Sequence, residues 1–159
     1  IACAAESGVD KKSIQKGLEN FEVPNGRFTV LNGLNNSKII DSSYNANPES
    51  FKAAIDSLVA RDSKEKWIIM GQMGELGNDS EEHHINVLKY AESKKIDKIF
   101  LISNHAEIIK KTMKIEIKAF KSKEDLVKYI IPMLKSDIDV LIKASRSMKF
   151  ESIVKSLQE

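Results

Sequence analysis

The chain has 159 residues, 42% hydrophobic and 30% charged, a globular composition with enough length for one domain, a proper core and an appendage. Its 25 basic and 23 acidic residues leave a net charge of +2, too balanced to argue for nucleic acid or an anionic membrane as partner. The single cysteine, Cys3, excludes a disulfide framework and a cysteine-based metal site, and no apolar run approaches the roughly 20 residues that span a bilayer.

The chain opens without Met on IACAAESG, which reads as the middle of a helix, so a piece of a longer protein is expected. The Ala-rich turn ends at Gly8, a C-cap residue. Asp10 is placed to cap a second helix carrying Ile14 and Leu18 on one face. FEVPNGRFTVLNGLNNS follows, a linker by its Pro, Gly and Asn content, with a short strand expected over residues 27–31.

From about Ser37 the rhythm changes. Short apolar runs, KII (38–40), WIIM (67–70), KIFLI (98–102), IEIKAF (115–120) and DVLI (139–142), alternate with helical patterns. The helices carry Phe51, Ala54, Ile55, Leu58 and Val59; His84, Val87, Leu88 and Ala91; Ile108, Ile109 and Met113; Leu126, Val127, Ile130 and Leu134; and Phe150, Ile153, Val154 and Leu157. Near-continuous apolar strands alternating with helices predict an α/β fold. Its sheet is mostly parallel and covered on both faces, and right-handed crossovers join the strands. IEIKAF alternates more than the others, as an edge strand does.

Ligands of open parallel sheets bind beyond the carboxyl ends of the strands, which selects three loops. In DSSYNANPES (41–50), Asn47, Pro48 and Glu49 are explained by helix initiation. Asp41, Tyr44 and Asn45 are not: the ring and amide suit a flat ligand edge, and a Tyr packed over a helix start beside an Asx-turn suits them equally. GQMGELGNDSEEHH (71–84) has three glycines at threes but matches no dinucleotide or phosphate-loop fingerprint. Glu75 is its candidate polar contact, against a solvated carboxylate. Asp79 and Glu82 have capping-box spacing. His83 and His84 point about 100° apart on a helix and cannot chelate one metal, and His84 lies on the apolar stripe as a satisfied, semi-buried side chain. In IKASRSMKFES (142–152), Lys143, Ser145 and Arg146 between a buried strand and a helix form a candidate anion site; helix capping by Ser145 or Ser147 with solvated cations is the plainer alternative. No Ser-His-Asp or Cys-His set and no carboxylate cluster for a metal is present, so the domain reads as a binding half-site without its own chemical engine.

The order GLENFEVPNGRF, DSSYNANPES, MGQMGELG…S…H and IKASRSMKFESIV resembles the C-terminal part of the Mur ligases, with YNANP its most specific string. The resemblance covers the whole chain. It implies that residues 1–33 are the end of a central ATP-binding domain and a hinge, and that residues 34–159 are a Rossmann-like C-terminal domain that closes over the nucleotide. It also implies an ATP-dependent carbon–nitrogen ligase of peptidoglycan precursor synthesis in the bacterial cytoplasm. The substrates would be ATP, D-alanyl-D-alanine and UDP-N-acetylmuramoyl-tripeptide, joined through an acyl phosphate, with ATP and Mg2+ held mainly upstream and the present chain inactive alone. Carried over by position, Arg27, Asp41, Ser42, Tyr44, Asn45 and Asn47 would meet the nucleotide. Lys143, Ser145 and Arg146 would lie near the incoming dipeptide and the reacting phosphate, and Glu75 would be a substrate contact. Ser42 stands where the family usually has an acid, Gln72 where an Asp is common, Gly74 where a bulkier apolar residue is, and Ala144 where a Gly is.

Two other readings compete: another ligase of the superfamily, of folylpolyglutamate or cyanophycin type, against which YNANP argues, and a non-catalytic binding module of receiver-like fold. The receiver needs an Asp ending its middle strand, where this chain has LISNHA.

Overall fold

The computed structural model describes residues 1–21 and 24–158; Glu22 and Val23 of the expected linker lie outside them. Two short helices, α1 (Ala2–Glu6) and α2 (Lys11–Glu19), come first, and the carboxylate of Asp10 accepts the backbone N–H groups of Lys12 and Ser13 as the N-cap of α2. Neither helix has a buried residue; Leu18 on the apolar stripe of α2 is exposed.

Next come β1 (Thr29–Asn32), β2 (Lys38–Asp41), α3 (Pro48–Val59), β3 (Glu65–Gly71), α4 (Ser80–Ser93), β4 (Lys98–Ile102), α5 (Ala106–Thr112), β5 (Ile117–Ala119), α6 (Lys123–Ile130), β6 (Ile138–Lys143) and α7 (Glu151–Leu157). The strands form one six-stranded sheet in the order β1-β2-β6-β3-β4-β5. Every pair is parallel except the β1–β2 hairpin at one edge. β5, the IEIKAF run, is the other edge. β1 is hydrogen-bonded into the sheet, which therefore begins ahead of residue 34.

The apolar runs are continuous because successive side chains feed two cores. Ile40, Ile68, Met70, Ile99, Leu101 and Leu141 meet the buried faces of α3, α4 and α5. Ile39, Trp67, Ile69, Phe100, Val140 and Ile142 meet those of α6 and α7. A strand buried on both sides has no polar phase. β6 enters between β2 and β3, so the winding of the sheet reverses there, and a crevice is expected at its carboxyl end.

Three local expectations are corrected. The first strand starts at Thr29 rather than residue 27, because Phe28 is left-handed (φ 62°) and breaks the extended run. Asp79 makes no capping hydrogen bond and no capping box with Glu82; its backbone (φ −87°, ψ 9°) closes a short 3-10 turn instead of the extended geometry a cap needs. Helix α6 stops at Ile130 rather than running on to Leu134, since Pro132 in the following turn lacks the N–H that would continue it; Leu134 is buried from that turn.

Gly71, at the carboxyl end of β3, shows why a side chain is excluded there. A Cβ would lie 2.6 Å from both the Ala144 Cβ and the Phe150 ring. Gly71→Ala is expected to destabilise the fold by about 1–3 kcal/mol through overpacking, read as a lower urea midpoint at constant slope. An unchanged midpoint would show that Phe150 has room to move.

Candidate functional site

The carboxyl ends of β2 and β6 and residues 26–28 ahead of β1 build one cleft of about 430 Å³, lined by Arg27, Ser42, Tyr44, Asn45, Asn47 and Lys143 among others. The 41–47 loop holds its own shape. The buried Asp41 carboxylate accepts the Ser43 N–H at 3.0 Å and its hydroxyl at 2.6 Å. The Asn45 side chain accepts the Ala46 N–H at 2.9 Å. Asn47 and Ser50 form a reciprocal capping box at the start of α3, with Pro48 in the first turn. The amino end of this twelve-residue helix, where N–H groups and dipole favour an anion, borders the cleft.

The segment ahead of β1 is clasped to this loop. The Tyr44 N–H donates to the Gly26 carbonyl at 3.0 Å. Gly26 is left-handed (φ 78°), and a Cβ on it would approach the Tyr44 backbone nitrogen to 3.0 Å, so glycine is required twice over. The clasp sets the Arg27 guanidinium 4.4 Å from the Tyr44 ring centroid. Arg146, on the loop after β6, lies 5.6 Å from the same centroid and 3.6 Å from the Glu151 carboxylate.

Lys143 is the last residue of β6 and is 4% exposed. Its Nζ donates to the Asn45 carbonyl at 2.8 Å and the Ser42 hydroxyl at 3.1 Å. Among the described residues no carboxylate pairs with it. Burial lowers its pKa from the ordinary 10.5 to about 8. A buried ammonium held only by neutral oxygens gains from any anion that enters beside it.

The loops after β3 and β6 are tied together. The buried Ser145 donates its N–H to the Gln72 carbonyl at 2.9 Å, and its hydroxyl lies 3.1 Å from that of Ser147. Ser145 holds the N-cap position of the short 3-10 turn 146–148, but neither serine side chain makes a capping hydrogen bond to it or to α7. Ala144 is not left-handed, so the backbone here does not require a glycine. The Gln72 side chain accepts the Ser103 hydroxyl at 2.8 Å and the Asn104 N–H at 3.3 Å, and its amide donates to Ser80 at 3.4 Å, a bond a carboxylate cannot make. His84 is entirely buried and satisfied. Its Nε2 accepts the Met73 N–H at 2.9 Å, which leaves the proton on Nδ1 to donate to the Ser80 carbonyl at 2.6 Å. Burial lowers its pKa, which favours this neutral form.

Six of the expected residues thus meet in one cleft. Asp41 lies behind it, bonded within its own turn. Ser145 and Arg146 stand on the neighbouring loop. Glu75 is exposed with a left-handed backbone (φ 60°) and lines no cleft described here. Sequence reasoning missed a second cleft, about 490 Å³, on the far side of Gln72, where Ser103, Asn104, Lys110, Phe120 and Lys121 gather from the ends of β4 and β5 and from α5. LISNHA was the available signal, a polar loop after a buried strand. Among the described residues no three His, Cys, Asp or Glu side chains could hold a metal ion, and no helix is long and apolar enough to cross a membrane.

A mostly parallel sheet whose winding reverses at β6, with two clefts at its carboxyl edge and the buried Lys143 lining one of them, is a doubly wound α/β domain. The family model described as "Mur ligase, glutamate ligase domain" matches residues 26–146, and the chain belongs to the Mur ligase family. It is similar to the UDP-N-acetylmuramoyl-tripeptide–D-alanyl-D-alanine ligases of Rickettsia prowazekii, 32% identical over 92% of this chain and 33% of that protein, and Bacillus subtilis, 31% identical over 100% and 36%. Among solved structures it resembles MurF from Acinetobacter baumannii, with a TM-score of 0.85 at 27% identity over 98% of this chain and 35% of that one. It also resembles the Thermotoga maritima MurF ligase in complex with ADP, with a TM-score of 0.74 at 27% identity over 91% and 35%. The chain spans about a third of the length of the curated relatives it matches.

Proposed function

We propose that this chain is the closing domain of an ATP-dependent ligase that adds D-alanyl-D-alanine to UDP-N-acetylmuramoyl-tripeptide. In that reaction the γ-phosphate of ATP passes to the tripeptide's terminal carboxylate and ADP leaves. The dipeptide amine then attacks the acyl phosphate, and inorganic phosphate departs as the amide forms. The reading includes a bacterial cytoplasmic setting, and residues 1–33 as the end of an ATP-binding domain and hinge ahead of a lid at 34–159.

The observation that carries it is Lys143: a buried ammonium between the strand ends, held by neutral oxygens and with no carboxylate partner among the described residues, in a cleft that also holds Arg27 and the start of α3. Arg27, Ser42, Tyr44, Asn45 and Asn47 would form the nucleotide side. Asp41 would serve it indirectly, by closing the turn that presents Ser42. Lys143 would meet the transferring phosphate, with Ser145 and Arg146 beside the incoming dipeptide, whose carboxylate could be taken by Lys110 or Lys121 of the second cleft. Mg2+ would travel with the ATP phosphates. The acidic residues described here do not fit a metal site, so no role in holding it is assigned to this chain. Closure onto an upstream body would complete the site and exclude water.

The test is phosphate release by the full-length enzyme with ATP, magnesium, UDP-N-acetylmuramoyl-tripeptide and D-alanyl-D-alanine, each omitted in turn. Release that needs all four is expected. Release with another amine but not with D-alanyl-D-alanine would move the specificity, and turnover by the present chain alone would overturn the lid reading.

A further inference from the structure

Tyr44 is the one large aromatic side chain lining the cleft beside Phe28, and it is 43% exposed. A nucleotide site invites the assumption that such a ring stacks on the base. The geometry opposes it. The Arg27 guanidinium already lies over the ring at 4.4 Å, held there by the Gly26–Tyr44 clasp, and Arg146 approaches at 5.6 Å. Among the described residues Arg27 has no carboxylate within ion-pairing distance, and Arg146 has only the 3.6 Å contact with Glu151. The ring is therefore the common contact of two cations far apart in the chain, of which Arg27 lines the cleft holding Lys143 and Arg146 stands on the loop beside it. Guanidiniums favour the π-face, where the ring's negative face orients them without neutralising their charge.

We infer that Tyr44 is a positioning residue, a platform that orients Arg27 toward the phosphates of the ligand, with Arg146 as a second, more distant cation on the same ring, rather than a stacking surface for its base. The inference rests on the reading of this cleft as a nucleotide site, but it makes a separable demand: Tyr44 should matter equally for ligands that have no base.

The experiment measures binding of ADP and of inorganic tripolyphosphate to the chain by calorimetry, for the parent, Tyr44→Phe, Tyr44→Leu, Arg27→Met and the Tyr44→Leu/Arg27→Met double variant. Thermal melts check that each folds. Tyr44→Phe keeps the π-face and is expected to leave both affinities within about twofold. Tyr44→Leu is expected to weaken both ligands alike, by about three- to tenfold. The double variant is expected to lose less than the sum of its parts, because Tyr44 acts through Arg27. Loss of ADP binding alone in Tyr44→Leu would restore the stacking role and overturn the inference, as would additive losses. Tripolyphosphate binding without any preference for ADP in the parent would overturn the nucleotide reading and leave the platform standing. Binding of neither ligand would overturn both.

Discussion

Lys143→Met is expected to weaken binding of ADP or tripolyphosphate by between tenfold and a hundredfold, the worth of one charge-assisted contact in a desolvated site. The same substitution is expected to abolish a pH dependence of stability. Burial lowers the Lys143 pKa from 10.5 to about 8, so the folded state releases this proton more readily than the unfolded chain does. Below about pH 8 both states are protonated and the folded state carries the full cost of the buried charge. Between about pH 8 and 10.5 the unfolded chain binds more protons, and the stability of the parent rises, by on the order of 3 kcal/mol in all. Lys143→Met should be flat across that window in urea melts at stepped pH. An anion in the cleft would restore the proton, so ADP binding near pH 8.5 should take protons up, visible as a dependence of the heat on buffer ionisation. Equal slopes for parent and variant would remove Lys143 as the titrating group, and a variant with parental affinity would remove it from the site.

Arg61→Ala is expected to be among the most destabilising single changes in this domain. Arg61 follows α3 and pairs with Asp139 of β6, whose side chain is 6% exposed while that of Arg61 is 29% exposed. Truncating the arginine leaves a buried carboxylate on a central strand without its counter-ion, at a cost of about 3 kcal/mol. The converse change, Asp139→Asn, strands only a partly solvated guanidinium and should cost about 1 kcal/mol. Replacing both residues with leucine should recover most of the Arg61→Ala loss, because the charge that needed pairing is gone. Urea midpoints of the four proteins give the comparison. Similar losses in the two single variants would show that water reaches Asp139 and that the pair acts as a surface ion pair.

How much of this was legible in the sequence follows from the range of each interaction. Ile39–Ile40, Trp67–Met70 and Phe100–Leu101 announced a doubly covered sheet because burial on both faces writes itself as consecutive apolar residues. Asp10 and Asn47 were readable as caps because a cap acts within three residues. IEIKAF was readable as an edge because an edge strand keeps some alternation. The order of strands was not readable: that β6 lies between β2 and β3 depends on contacts about a hundred residues apart. The same holds for the site. Lys143 and Tyr44 could be picked out by residue type in a strand-end loop, but the Arg27 contact with Tyr44, the Gly26 clasp, and the approach of Ala144 and Phe150 to Gly71 are properties of juxtaposed loops. Glu75 was chosen for its glycine neighbours, and the left-handed backbone they surround turns it to solvent.

The insertion of β6 also bears on how the chain reaches this state. β2 and β3 have no contact as neighbours until the strand between them arrives, and that strand is the last to leave the ribosome. Everything before it can form helices and a β3–β4–β5 fragment, but not the sheet. Folding must therefore wait on a closure of about a hundred residues, which topology makes slow. During synthesis the apolar edges of β2 and β3 stay open to wrong partners. A chain that ends before Ile138 lacks its central strand and Lys143 together, so a truncated product should neither fold nor hold an anion.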